Sequence, residues 1–322
     1  MVGGVLLEVL QQYNFPICKL HLFASEKSIG KEIIFKNKSY YIKELNDNSF
    51  VNCDFVFFVA GATVSKKWVP VALKSNAIVI DNSSFFRMDN DVSLIVPEIN
   101  IDDFNFDYRL VSNPNCSTIQ SVIVLNTLKK HGLKRVIYNT YQAVSGSGMK
   151  GINDLENTLE GKEPSFYSYN ISKTCIPQID SFLDSGYTKE EMKMFNETKK
   201  ILHLPELNIA ATCVRVPILF SHAVSVLVEL EKDFTIEEII NELKEQESII
   251  VLDDKKNNIY PVSTIANKTD KVYVGRIRKD LSSNNSLMFY CVADNLYRGA
   301  ASNAVLIALK IIENYQLKSI AT

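Results

Sequence analysis

The sequence predicts an α/β protein in two parts: a doubly wound parallel sheet, and an α+β unit built on a mixed sheet. Three observations carry that prediction. Short continuous apolar runs, Asp54-Phe-Val-Phe-Phe-Val-Ala60 and Ala77-Ile-Val-Ile80, alternate with helix-like or loop material, as strands buried on both faces of a parallel sheet do. Beyond the middle of the first half the pattern changes to strict alternation, in Val136 to Gln142, Ala211 to Pro217, Val224 to Leu230, Lys271 to Arg276 and Leu287 to Val292, which is the signature of half-buried strands. The length, 322 residues with 46% apolar and 22% charged side chains, suffices for two domains with separate cores.

Taken in order, Val2, Val5, Leu6, Val9 and Leu10 recur at the spacing of one helical face, so the chain is expected to start inside a helix. Ile17 to Ala24 reads as a strand, followed by the hydroxyl-rich turn Ser25-Glu-Lys-Ser-Ile-Gly30. The strand at 54–60 ends at Gly61, and the strand from Ala77 ends at Asp81-Asn82. Parallel sheets of this kind bind ligands beyond the carboxyl ends of their strands. That rule makes Ser25, Lys27 and Ser28, then Gly61, Ala62 and Thr63, then Asn82 the candidate contacts.

A short apolar run, Leu110-Val111, stops at Asn113-Pro114, and a long one begins at Ile119. Cys116 is therefore expected in the first turn of a helix, where free N–H groups and the positive end of the macrodipole favour thiolate over thiol. Asn115 and Ser117 can cap that helix or hold an oxyanion, and Lys129, Lys130, His131 and Gly132 close it. Thr188-Lys-Glu-Glu191 is a capping box opening a helix expected to turn Met192, Phe195 and Leu202 inward, with Glu197 and Lys200 one turn apart on its other side. Tyr297 to Tyr315 is a last long helix, apolar enough to return to the first sheet. Neither an internal repeat nor a low-complexity linker is present.

Composition excludes several classes of function. The net charge is −2 without a long basic or acidic block, so nucleic acid and anionic membranes are not expected partners. No apolar run reaches the ~20 residues of a membrane span, and the amino end shows no basic segment followed by an apolar core. Six cysteines at 18, 53, 116, 175, 213 and 291 stand singly, which reads as reduced thiols in a cytoplasmic protein with no metal site. Arg215-Val-Pro-Ile-Leu-Phe-Ser-His222 places an arginine and a histidine around a strand break, where a cleft forms. Cys116 and His222 make a minimal nucleophile and acid/base pair, the ring taking the sulfur's proton and later handling that of an oxyanion.

Longer stretches resemble a known family. Asn-Pro-Asn-Cys-Ser-Thr-Ile-Gln (113–120), Thr-Tyr-Gln-Ala-Val-Ser-Gly-Ser-Gly (140–148), Ile-Pro-Gln-Ile-Asp (176–180), Asn-Glu-Thr-Lys-Lys-Ile (196–201), Arg-Val-Pro-Ile through Ser-His (215–222) and Val-Gly-Arg-Ile-Arg-Lys-Asp (274–280) resemble the bacterial-type aspartate-semialdehyde dehydrogenases. So do Asp-Asn-Ser-Ser-Phe-Phe-Arg (81–87), Val-Pro-Glu-Ile-Asn (96–100) and Asp-Asn-Leu-Tyr-Arg-Gly-Ala-Ala-Ser-Asn-Ala-Val (294–305). The resemblance runs the length of the chain. It implies a Rossmann-like dinucleotide-binding domain at 1–115 and 295–322, and a catalytic and dimerisation domain at 116–294. It further implies Cys116 as nucleophile, Gln142 as the side chain orienting the intermediate and His222 as acid/base. Arg215 would grip the substrate's α-carboxylate and Glu197 its α-ammonium, with Arg87, Asn115 and Lys200 on phosphate. Ser25, Lys27 and Ser28 match the segment that meets an adenosine 2′-phosphate, and Gly3, Gly61, Ala62, Asn82, Asn295, Gly299 and Ala300 match further contacts of NADP. The implied reaction converts L-aspartyl 4-phosphate to L-aspartate 4-semialdehyde and phosphate, in lysine, threonine, methionine and diaminopimelate biosynthesis, by a homodimer or tetramer.

Two departures stand out. The family opens with a strand and Gly-x-x-Gly-x-x-Gly, of which only the last glycine, Gly3, and the following helix are present. A doubly wound sheet with its first strand missing is expected to leave an unfilled position between 17–24 and 54–60, faced by Val2 and Val5, and to fold and bind NADP weakly. Near 157–174 the family carries a longer insert, which bears on dimer contacts. Two alternatives accompany the main reading: an N-acetyl-glutamyl-phosphate reductase-like enzyme, disfavoured because an acetylated amine needs no carboxylate such as Glu197, and a catalytically silent subunit.

Overall fold

The computed structural model describes residues 1–320. Helix α1 (Val2–Gln12) comes first, followed by a hairpin of β1 (Glu32–Phe35) and β2 (Lys38–Tyr41). Its two-residue turn, Lys36-Asn37, has φ of 46° and 60°, the double left-handed geometry that matches the twist of a tight hairpin. Next come β3 (Phe55–Phe58), α2 (Ala62–Lys74), β4 (Ile78–Asp81), β5 (Ser93–Leu94), α3 (Pro97–Asn100), β6 (Leu110–Ser112) and α4 (Cys116–Leu128). These strands form a four-stranded sheet in the order β3-β4-β6-β5, with every pair parallel.

Both faces of that sheet are apolar, as continuous runs require. Ile80 and Val111 join the core under α1 and the C-terminal helix, while Phe58, Val79 and Leu110 pack with Val69 and Ala72 of α2 on the opposite face. The expected strand at 17–24 is not formed. Phe23 makes one isolated parallel bridge to Lys43 and no ladder extends from it, because no described strand lies along it to supply successive partners. β3 pairs with β4 alone and so ends the sheet, and Val2 and Val5 pack against the core shared with Phe55, Phe57 and Val59. The predicted slot between two strands is replaced by an edge strand flanked by α1.

The second half contains β7 (Leu133–Gln142), α5 (Met149–Leu159), α6 (Lys189–Leu202), β8 (Asn208–Arg215), β9 (His222–Leu230), α7 (Ile236–Lys244), β10 (Ile249–Val251), α8 (Ser263–Ala266), β11 (Val272–Lys279) and β12 (Ser286–Ala293). Its six strands run in the order β10-β11-β12-β9-β7-β8, parallel at the β10-β11 and β7-β8 pairs and antiparallel elsewhere. One face is covered by α4, α6 and α7 over the largest core. Helix α4 is buried nearly all round, from Ser117 through Leu125 and at Leu128, and its contacts reach both sheets' cores. An all-round apolar helix belongs at such a junction.

A five-residue π turn, Tyr297–Ala301, leads into α9 (Ser302–Ile320), which packs beside α1. Gly299 N–H bonds to Asp294 C=O and Ala301 N–H to Leu296 C=O, each five residues back. Such turns mark functional positions more often than chance allows. Among the described residues no helix is long and apolar enough to cross a membrane.

Candidate active site

The site forms where the amino end of α4 meets the carboxyl ends of β7 and β8 and the start of β9. Asn115 caps α4, its Oδ1 accepting from the N–H groups of Ser117 at 2.9 Å and Thr118 at 3.3 Å. This cap presents Cys116 as the first helical residue. Gln142 ends β7 directly beside Arg215, the last residue of β8, and His222 opens β9.

Two runs of hydrogen bonds, joined through the Gln142–Ala143 peptide, connect residues that the sequence singled out. Lys200 Nζ donates to the carbonyls of Arg87 at 2.9 Å and Asp89 at 2.7 Å. Arg87 then pairs with Glu197 at 2.9 Å, and the second oxygen of Glu197 accepts from the Asn115 N–H at 2.6 Å. Asn115 Nδ2 donates to Glu190 Oε1 at 2.8 Å, and Gln142 Nε2 donates to the same atom at 3.0 Å. Arg215 donates to the Ala143 carbonyl at 2.6 Å, and the Ala143 N–H donates to His222 Nδ1 at 3.0 Å. Glu197 and Lys200 therefore do not form the surface pair that their spacing allows. Glu197 is 1% exposed and bound to Arg87, while Lys200 reaches backbone carbonyls.

Electrostatics correct one expectation. Burial pushes the Cys116 thiol up to about 12, with Glu190 adding to the rise against Arg87, Arg215 and the Ser117 N–H. In this state the sulfur is a thiol and not the thiolate that the helix position alone suggests, because desolvation outweighs the helix terminus. Burial, then the charge of Arg215, holds His222 down at about 3, with Glu190 opposing. Cys116 and His222 thus face the same two charges. Since Nδ1 accepts from a backbone N–H, the neutral ring carries its hydrogen on Nε2, which has no protein partner. Arg87 Nε, Arg215 Nε and Ser117 Oγ are also buried without partners. Buried polar atoms are rarely left so, and their gathering here is what a polar ligand would satisfy.

Two glycines shape the walls. A Cβ on Gly146 would lie 2.9 Å from an Arg215 nitrogen and 3.2 Å from His222 Nε2. A Cβ on Gly299 would lie 2.5 Å from the Cys116 Cβ, so the π turn presses bare backbone against Cys116. Asn295 braces the other side, accepting from the Ser221 N–H at 2.9 Å and exchanging hydrogen bonds with Ser145. Its amide is engaged within the protein, behind His222.

Of the remaining candidate nucleotide contacts, Gly61 is the N-cap of α2 with open space where a Cβ would be, and Ala62 begins that helix. Both amide atoms of Asn82 are buried without partners at the carboxyl end of β4. An uncapped helix start beside an unpartnered amide fits the phosphates and polar edges of a dinucleotide. Ser25, Lys27 and Ser28 occupy a short helical turn, with Ser25 and Lys27 exposed. Gly3 sits in the first turn of α1 beside Val59, and the Ala300 carbonyl lies 3.5 Å from Asn113 Nδ2.

Sequence reasoning missed Glu190. It is the second residue of α6 inside the expected capping box, which forms between Thr188 and Glu191. Its carboxylate is 5% exposed, and although burial opposes ionisation, Lys193 with the amides of Gln142 and Asn115 holds it down at about 2. The inward stripe of α6 is Glu190, Glu191, Met194, Glu197, Thr198, Ile201 and Leu202. Met192 and Phe195, expected inward, are only partly buried, and Lys199 lies over the Phe195 ring. The inner surface of this helix is half active-site wall, so apolar spacing alone misplaces it by a fraction of a turn.

Comparisons with known proteins agree with this geometry. The family model described as semialdehyde dehydrogenase, NAD binding domain, matches residues 1–105, and that described as semialdehyde dehydrogenase, dimerisation domain, matches residues 125–298. The aspartate-semialdehyde dehydrogenase of Aquifex aeolicus is 46% identical over 324 residues, covering 97% of this chain and 95% of that protein. The Bacillus subtilis aspartate-semialdehyde dehydrogenase is 44% identical over 322 residues, covering 95% and 93%. Among solved structures, aspartate semialdehyde dehydrogenase II from Vibrio cholerae, complexed with ASA, superposes with a TM-score of 0.92 at 38% identity, covering 98% of this chain and 96% of that one. With both family models matched and relatives this similar along nearly the whole chain, the protein belongs to the aspartate-semialdehyde dehydrogenase family.

Proposed function

We propose that the chain catalyses the reversible conversion of L-aspartyl 4-phosphate to L-aspartate 4-semialdehyde and phosphate, through a thioester on Cys116 and with NADP as coenzyme. Residues 1–115 and 295–322 are assigned to nucleotide binding, and 116–294 to catalysis and dimerisation. The joined runs of hydrogen bonds from Lys200 to His222, with Cys116 beside their middle, are the observation that carries this reading. One end offers two cations for a phosphate, and the other offers a guanidinium whose fork suits a carboxylate.

Cys116 attacks the acyl carbon and phosphate leaves towards Arg87 and Lys200. In drawing Arg87 to itself, the phosphate frees Glu197 Oε1 from its present partner for the substrate's ammonium. The arriving ammonium also favours loss of the thiol proton, which passes to the departing phosphate and which the buried site otherwise resists. His222, neutral and with hydrogen on Nε2, donates to the oxygen of the tetrahedral intermediate, and Gln142 holds that intermediate in place. Gly61, Ala62, Asn82 and the segment around Gly299 and Ala300 would hold the nicotinamide coenzyme, which would supply or accept the hydride when bound. Lys27 with the hydroxyls of Ser25 and Ser28 provides a cation and donors for a 2′-phosphate, which favours NADP over NAD.

The test is phosphate-dependent reduction of NADP with L-aspartate 4-semialdehyde, compared with NAD at equal concentration. Absence of phosphate dependence would exclude the acyl phosphate as product. Arg215→Lys is expected to raise KM for the semialdehyde about 10- to 100-fold, because lysine cannot make two parallel bonds to a carboxylate. KM for NADP should stay nearly unchanged, and an equal rise in both would move Arg215 out of the substrate site.

A further inference from the structure

We propose that Glu190 is a positioning residue whose Oε1 sets the two halves of the active site in register with each other. This inference rests on the reading of Cys116 as nucleophile. One half, Lys200, Arg87, Glu197 and Asn115, is carried by α6, the loop after β4 and the start of α4. The other, Gln142, Arg215 and His222, is carried by the ends of β7 and β8 and the start of β9. Glu190 belongs to the first half through α6. Among these side chains, the hydrogen bond that crosses between the halves is the one Gln142 donates to Glu190 Oε1 at 3.0 Å, and the same atom accepts from Asn115 at 2.8 Å.

An ionised carboxylate only accepts, so it decides which way both amides face. With its NH₂ turned to Glu190, Asn115 has its oxygen left to cap α4, which places Cys116. With its NH₂ likewise turned, Gln142 gives its oxygen to Thr140 Oγ1 at 3.0 Å and keeps its second N–H for the reacting group. Glu190 thus acts on the nucleophile and on the residue orienting the intermediate through one atom. Its other oxygen binds Lys193 at 2.9 Å, and Lys193 is held in turn by Asp180 at 3.0 Å, which fixes the carboxylate itself. The charges bearing on Cys116 are Glu190 from α6, Arg87 from the loop after β4 and Arg215 from β8, and Glu190 and Arg215 also bear on His222 from β9.

Two variants separate an oxygen in the right place from a charge in roughly the right place. Glu190→Gln keeps one accepting oxygen at full reach and turns its NH₂ towards Lys193, which Asp180 still holds, whereas Glu190→Asp keeps the charge and withdraws it. In the full chain, Glu190→Asp should lower kcat for phosphate-dependent semialdehyde oxidation on the order of 100-fold, the cost of misplacing a reacting group by about 1 Å. Glu190→Gln should stay within about 10-fold of the unsubstituted protein, and KM for the semialdehyde should change less than about 3-fold in both. A second readout needs no substrate: alkylation of Cys116 by iodoacetamide should shift to lower pH in Glu190→Gln, because an opposing negative charge is gone. A Glu190→Asp enzyme as fast as Glu190→Gln, or faster, overturns the proposal, and so does an unmoved alkylation profile in Glu190→Gln. If the unsubstituted chain shows no turnover, the functional reading fails instead, and the alkylation shift alone decides whether Glu190 acts on the nucleophile.

Discussion

Cys116→Ser is expected to lower turnover on the order of 10⁶-fold, the scale on which loss of a nucleophile acts in enzymes that form covalent acyl intermediates. In the proposed reaction the sulfur is the atom that becomes acylated. A serine hydroxyl fits the same space at the start of α4 but is far less acidic, and the burial that already holds the thiol up at about 12 would oppose an alkoxide still more. Because the Asn115 cap is made by backbone N–H groups that serine retains, the melting temperature should stay within about 2 °C of the parent. Single-turnover kinetics with aspartyl phosphate and denaturation of the same sample check both halves. Retention of a hundredth of the parent rate would require a different attacking group.

His222→Ala is expected to reduce kcat about 10²- to 10⁴-fold, the range for a lost general acid. The more informative result is what it leaves alone. Since Nδ1 is held by the Ala143 N–H and Nε2 already carries the hydrogen, the ring in this state is not placed to take the Cys116 proton. Iodoacetamide alkylation of Cys116 should therefore follow nearly the same pH profile in parent and variant. A shift of the variant's profile to higher pH would mean that thiolate and imidazolium form a pair after all. The ring also sets a stability window. Its folded-state pKa of about 3 lies below the ordinary 6.5, so the unfolded chain binds the proton more readily. The contribution is present above pH 6.5 and is lost as the pH falls towards 3, and the variant's melting temperature should depend less on pH across that interval.

The parts of this molecule that could be read in advance are those dictated over a few residues. Phe55 to Phe58 and Ile78 to Ile80 are apolar on consecutive residues and lie in parallel strands, β4 mostly buried and β3 half-buried at the sheet's edge. The Asn-Pro break before Cys116 marked a strand-to-helix turn, and the Thr188 capping box is formed as the pattern says. Properties created by residues distant in sequence were not legible. The thiol's protonation depends on Glu190 and on burial beneath the π turn, which no local pattern near Cys116 encodes. Glu190 itself looks like a solvated acid in the first turn of a helix. Its role emerges only when Asn115 and Gln142 arrive from 75 and 48 residues away along the chain. Residues 17–24 have strand composition, yet a strand exists only through neighbours that pair with it, and a single bridge at Phe23 is all that forms. The β1-β2 hairpin had a local signal in Lys36-Asn37 that apolar-run reading passes over, since β2 is mostly exposed.

The π turn at Tyr297–Ala301 makes the protein sensitive to chain length at one place. Its hydrogen bonds span five residues where an α-helix spans four, so the turn holds one residue more than the helix it continues into. Deleting any one residue there would remove the extra residue that the wide turn accommodates, so the segment would close to ordinary helix and its residues would shift by one position. Gly299 would then leave Cys116, and a neighbour bearing a Cβ would take a place where 2.5 Å separates it from the nucleophile's own Cβ. A substitution in this turn changes one contact, but a deletion moves every residue of the turn relative to Cys116. In collections of homologous or engineered sequences, gaps should therefore be tolerated in the exposed turns at 160–163 and 255–260 and eliminated between 294 and 302. Deep mutational scanning that includes single-residue deletions would show that contrast directly.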